Sequence, residues 1–185
     1  MKFLFLGTLL LTFVYFSWSY VLDPFTTLHF SANTQLDAGE FYQAKIDCES
    51  ILNLQPCLFR QSANSKIGET HIRAAQDALR KPHPDFKEAL AWLSGLTNRD
   101  QISLTGSEDL AGQMIQQLPK AHLAFARDVL FYEQKDYLKA AQEFAQITKL
   151  YNGWPEILSE ARFLRSVSLV ELAKAKLLAG HLEES

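Results

Sequence analysis

Residues 39–56 read GEFYQAKIDCESILNLQP, and the spacing within this stretch decides how the chain folds. A turn residue, Gly39, and an acid, Glu40, stand before the aromatic Phe41. Apolar or small residues then recur at Phe41, Ala44, Cys48, Ile51 and Leu54, in steps of 3, 4, 3 and 3. That is the period of one helix face; a strand would alternate every second residue. Pro56 lacks the amide N–H that a continuing helix needs, so the predicted helix stops before it.

The pattern recurs along the chain. Tyr137, Ala140, Phe144, Ile147 and Leu150 repeat the steps, and Phe86, Ala89, Leu93 and Leu96 repeat the first of them. Pro84-Asp85, Lys135-Asp136 and Gly180-His181 precede Phe86, Tyr137 and Leu182 as Gly39-Glu40 precedes Phe41. Gly and Pro suit tight turns because one tolerates unusual dihedrals and the other stops a helix. An acid at the next helix start faces the unsatisfied N–H groups there. The aromatic is placed to pack back on the preceding helix, and the alanine lets two helix backbones approach closely.

These residues resemble the tetratricopeptide repeat, whose second helix opens on Gly, an acid and an aromatic, with Ala three residues later and a closing Pro. The first unit is the closest match, with Gly39, Glu40, Phe41, Ala44, Ile51, Leu54 and Pro56; Leu169, Leu172 and Ala173 leading to Ala179-Gly180 give the best first-helix pattern. The resemblance implies an all-α fold, a stack of antiparallel helix hairpins (an α-solenoid) over residues 25–185 with the last repeat incomplete. Phe41, Ala44, Phe86, Ala89, Tyr137, Ala140 and Phe144 would be its packing residues. The intervals Phe41–Phe86, Phe86–Tyr137 and Tyr137–Leu182 are 45, 51 and 45 residues, against about 34 in the family. The hairpins are therefore expected to be longer. Asp77 and Asp128 fall near positions where the family has a small residue. Thr105-Gly106-Ser107-Glu108 is a capping-box sequence, predicting an added short helix that Pro119 ends after Leu118. A generic amphipathic bundle is the plainer reading of the same periodicity.

The N-terminus is a separate segment, residues 1–22. Phe3 to Leu22 carry no charge and as a helix would span about 30 Å, the thickness of a bilayer core. Its length and its aromatics near Trp18 favour an uncleaved signal anchor, an apolar transmembrane helix with Lys2 on the cytoplasmic side and the remainder exported. The expected location is then the membrane, single-pass with an extracytoplasmic domain. The alternative is a signal peptide cut near Ser19, leaving a secreted or periplasmic protein.

The rest of the chain excludes several classes. Formal net charge is −3, and the longest basic run is Arg80-Lys81. Nucleic acid is not an expected partner, because its binders usually show a basic stripe. Two cysteines, Cys48 and Cys57, are too few for a disulfide scaffold. Both read as free thiols, with Cys48 on an apolar helix face; a disulfide would require an oxidising compartment. His29, His71, His83, His122 and His181 are scattered, without His-Glu-x-x-His, a Gly-rich phosphate loop or a Gly-x-Ser-x-Gly elbow. No catalytic residue, metal site or cofactor is expected, so the chain does not read as an enzyme.

A protein or peptide partner is expected instead. In the resembled fold, first helices line the concave side. Helical spacing puts His29 and Asn33 on one face with Leu36, His122, Phe125, Val129 and Tyr132 on another, and Lys174 on a third with Val170 and Leu177. Asn33 and Lys174 alone do not make a carboxylate clamp, whereas Phe125 and Tyr132 suit an apolar groove; plain core packing is the competing reading of those aromatics. The leading expectation is a membrane-tethered adaptor or assembly factor. Behind it stand a structural subunit of a larger membrane complex and, last, a secreted enzyme.

Overall fold

The computed structural model describes residues 12–16, 18, 22–54, 60–97 and 107–183. Every regular element among the described residues is helical, in agreement with the expected all-α class. The chain divides into two compact units, residues 1–112 and 113–185.

In the first unit, α1 (Asp23–Ala38) and α2 (Phe41–Leu52) pack together across the two-residue turn Gly39-Glu40. Gly39 makes that turn at φ 79°, a left-handed conformation that costs residues with a Cβ roughly 1–2 kcal/mol. Glu40 N–H donates to the Gln35 carbonyl at 2.8 Å and Gly39 N–H to the Leu36 carbonyl at 3.3 Å. These two bonds satisfy carbonyls that the helix end would otherwise leave open. Helix α3 (Arg60–Arg80) packs on α2, and α4 (Phe86–Thr97) packs on α3. The buried face of α3 is built from small residues, Ala63, Ala74, Ala75 and Ala78, with Ile67 among them, so its backbone lies close to its neighbours. Ala32, Cys48 and Ile67 meet in the core from three successive helices, with Leu52 against them. Cys48 is a free thiol, and burial pushes it up to about 11. It is therefore protonated at neutral pH and a poor nucleophile.

Helix α5 (Ser107–Ala124) leads into a π-helical segment, Phe125–Glu133, and then come α6 (Tyr137–Leu150) and α7 (Pro155–Glu183). In the second unit α6 packs on both the π segment and α7. Lys135 turns the chain at φ 53°, where the first pair uses Gly39. Asp136 then caps α6, its Oδ1 accepting the Lys139 N–H at 3.1 Å. The Tyr137 ring lies 5.3 Å from Phe131 on the preceding segment. Phe144 and Ile147 are fully buried; burial of side chains this size stabilises by roughly 1.5–3 kcal/mol each. Pro155 opens α7 at its first turn, where a missing N–H costs nothing, and Leu158 N–H donates to the Trp154 carbonyl at 3.0 Å.

Helices α2, α4 and α6 begin at Phe41, Phe86 and Tyr137, the three large residues that open the sequence series. Ala44, Ala89 and Ala140 are each wholly buried. Asp85 and Asp136 cap their helices through the side chain, whereas Glu40 makes no side-chain cap. The longer glutamate chain is a poorer N-cap than aspartate.

Three expectations are corrected. Pro119 does not end α5 but lies inside it, buried. Its missing N–H leaves the Ile115 carbonyl without an intrahelical donor and its ring crowds that carbonyl, a cost that burial of the neighbouring Leu118 and Leu123 helps to offset. Gly180 makes no turn, and α7 passes through it as one helix of 29 residues.

The third correction concerns the membrane. Among the described residues no helix is long and apolar enough to cross one, which overturns the transmembrane signal anchor and the single-pass location. The helix following the apolar run opens on Asp23 and carries His29, Asn33 and Asp37, too polar to extend that run into a span. Residues 1–11, 17 and 19–21, including the cleavage position at Ser19, lie outside the described residues, as does Cys57.

Candidate functional site

Helices α2, α3 and α4 enclose a cleft of about 380 Å³ in the first unit, with Tyr42, Lys45, His71 and Trp92 along its walls. That volume is within the ordinary range of binding pockets. Its geometry starts at Asp85, whose Oδ1 accepts the Glu88 N–H at 2.9 Å and so sets the start of α4. Two turns on, Trp92 is buried to all but 6% of its surface. Tyr42, the residue after the aromatic that opens α2, is 70% exposed. Its ring centroid is 4.7 Å from that of Trp92, tilted by 55°. A tilted aromatic pair at this distance is attractive beyond the area it buries.

Beneath them, His71 on α3 meets the Trp92 ring edge-on at 5.0 Å. Its Nδ1 is 2.7 Å from the Trp92 carbonyl oxygen. A carbonyl only accepts, so Nδ1 is the ring nitrogen that carries the proton in this bond. Gly95 makes room for the ring: a Cβ there would stand 2.8 Å from His71 Cε1. Above the floor, Lys45 Nζ lies 6.0 Å from the Trp92 ring centroid, within cation–π range. Glu88 at the rim binds Lys81 at 3.1 Å, and this bond raises the Lys81 ammonium above its usual range.

A second constellation joins three side chains of the other unit. His122 is wholly buried; its Nε2 is 2.8 Å from Glu143 Oε2 and its Nδ1 is 3.3 Å from the Tyr151 hydroxyl. The carboxylate accepts from Nε2–H, so in the neutral ring Nδ1 accepts from Tyr151. Desolvation, with the nearby Glu143 charge second, pushes the Tyr151 hydroxyl well above its ordinary range. These bonds tie the last turn of α5 to α6. No group of three or more His, Cys, Asp or Glu among the described residues could hold a metal ion.

The residues singled out from the sequence fall on α1 in the first unit and on α5, the π segment and α7 in the second. His29 and Asn33 share a 3.1 Å hydrogen bond on α1, both half-buried. Lys174 is exposed and pairs with Glu171 at 2.7 Å. The residues of the expected face, His122, Phe125, Val129 and Tyr132, differ in exposure. His122 is interior, Phe125 and Val129 are half-buried, and Tyr132 is 60% exposed. His122 lies in α5, and the other three lie in the π segment. Gln134 N–H donates to the Val129 carbonyl five residues back, at 2.9 Å, and this wider turn rotates each side chain away from its α-helical register.

Periodicity and motif spacing do not mark Tyr42, Lys45 or Trp92, and they show His71 only as one of the scattered histidines. Tyr42 sat in view beside Phe41, and a signal for Trp92 lay in its own helix, with Gly95 one turn later. The pairing of Gly95 with His71, on another helix, has no local signal. No protein-family model, curated protein or solved structure matches the chain.

Proposed function

We propose that the chain is a protein-binding adaptor or assembly factor, built on a tetratricopeptide-like stack of helix pairs, that holds a peptide segment of its partner in the α2–α3–α4 groove. One observation carries the reading: Tyr42 presents an exposed aromatic ring against the nearly buried Trp92, over a floor anchored by His71. An exposed tyrosine backed by a rigid aromatic offers contact area at a small cost in conformational entropy, as at many binding hot spots. Enrichment of a random-peptide display library, followed by titration of the recovered peptides, tests it. Peptides that bind the wild type and lose at least about tenfold on Tyr42→Ala, equivalent to about 1.4 kcal/mol, are expected. Absence of enrichment, or binding indifferent to Tyr42, overturns it.

A second reading has its own support. From Ala173 to Ala179 every residue of α7 is exposed, Leu177 and Leu178 at 65% and 68%. An apolar helix end left uncovered suits a subunit whose neighbour covers it in a larger assembly. Sedimentation with the partners present separates the readings: a subunit loses its assembly on Leu177→Ser with Leu178→Ser, an adaptor of the groove type does not.

A further inference from the structure

Charge around the groove is unevenly engaged. The acids at its rim already have partners within the chain. Asp85 caps α4 by accepting the Glu88 N–H at 2.9 Å, and Glu88 binds Lys81 at 3.1 Å. The cations are less committed. Lys45 reaches Glu49 only at 4.0 Å, and its ammonium stands 6.0 Å from the Trp92 centroid. Lys87 lines the same cleft and is exposed. An incoming segment therefore meets an aromatic surface flanked by two lysines, although the chain as a whole carries a net charge of −3.

We infer that the groove takes an acidic peptide segment, with one apolar side chain seated against Tyr42 and Ala91 and neighbouring carboxylates drawn to Lys45 and Lys87. This rests on the groove being the partner site and adds the chemistry of the occupant. A basic segment would bring like charge to Lys45 and Lys87, and of the rim carboxylates Glu88 is already paired with Lys81. A neutral apolar segment would fill the cleft without using either lysine.

The test uses the full chain and fluorescein-labelled synthetic peptides sharing a central Leu-Trp pair, flanked by glutamates, serines or lysines, read by fluorescence anisotropy. The glutamate peptide should bind about fivefold or more tighter than the serine peptide, as expected for two partly exposed ion pairs. The lysine peptide should bind least. Raising salt from about 50 mM to about 500 mM should shrink the difference, because screening weakens exposed pairs. Lys45→Ser with Lys87→Ser should bring the glutamate peptide down to the serine peptide, and Tyr42→Ala should weaken both; helical circular dichroism verifies that each variant is folded.

If the glutamate and serine peptides bind alike and both still lose affinity on Tyr42→Ala, the acidic preference is overturned and the groove stands. If peptides bind but neither Tyr42→Ala nor the lysine variants matter, the groove itself is overturned. A single-stranded oligonucleotide that binds the same lysines as tightly as the glutamate peptide overturns the assignment to a peptide.

Discussion

Gly95 and His71 meet at a distance that admits no side chain at the glycine: a Cβ on Gly95 would lie 2.8 Å from His71 Cε1 and 3.1 Å from Nδ1. The ring has little freedom to retreat, since Nδ1 is bonded to the Trp92 carbonyl and its edge rests on the Trp92 ring. Two effects of Gly95→Ala then oppose each other. Alanine gains about 1 kcal/mol of helix propensity, and overpacking costs roughly 1–3 kcal/mol. With the ring pinned, overpacking wins, and denaturant unfolding should show a net loss of stability. Gly112, within α5, has nothing within 4 Å of its would-be Cβ. Gly112→Ala should instead stabilise, by up to about 1 kcal/mol.

The same conformation is held by different residues at two turns, Gly39 at φ 79° and Lys135 at φ 53°. Gly39→Ala should cost roughly 1–2 kcal/mol, and Lys135→Gly should gain part of that amount because it relieves the left-handed penalty. Thermal unfolding of both variants checks the pair. Equal effects of the same sign would contradict the backbone argument.

His122 should be far more sensitive than its exposed counterparts. His122→Ala removes a wholly buried ring and its bonds to Glu143 and Tyr151. A cavity plus stranded polar groups should cost about 2–4 kcal/mol. Tyr151→Phe deletes only the 3.3 Å hydroxyl contact and should cost about 0.5–1 kcal/mol, the low end for a hydrogen bond. Urea unfolding measures both.

Asp136 makes part of the stability pH-dependent. The Lys139 backbone N–H, aided by the Lys139 ammonium, holds its carboxyl below the ordinary 3.8. A carboxylate favoured in the folded state contributes fully above the unfolded value, and its contribution fades as pH falls through the folded one. Asp136→Asn keeps a capping side chain but cannot titrate, so it should flatten this share of the acid loss below about pH 4. Asp136→Ala should cost about 1 kcal/mol at neutral pH. Unfolding curves of the three proteins across about pH 2–6, which spans the carboxylate range, test the sign.

The order of helices is largely legible in the sequence. The steps from Phe41, Phe86 and Tyr137 placed three helix starts correctly, because turn, acid and aromatic act on neighbouring residues. Burial of Ala44, Ala89, Ala140 and Phe144 followed from the same period. Legibility failed at Pro119, at Gly180 and across Phe125–Glu133, where packing or hydrogen-bond pattern overrode local preference.

Local chemistry along the chain determined the all-α class, the left-handed turn at Gly39 and the caps at Asp85 and Asp136, since each depends on residues a few positions apart. Tertiary structure decided what meets across helices: Tyr42 with Trp92, Gly95 with His71, His122 with Glu143 and Tyr151. Helical periodicity says which residues share a face. It does not say which face meets which, because that depends on how whole helices pack, and on a π turn that shifts every side chain after it.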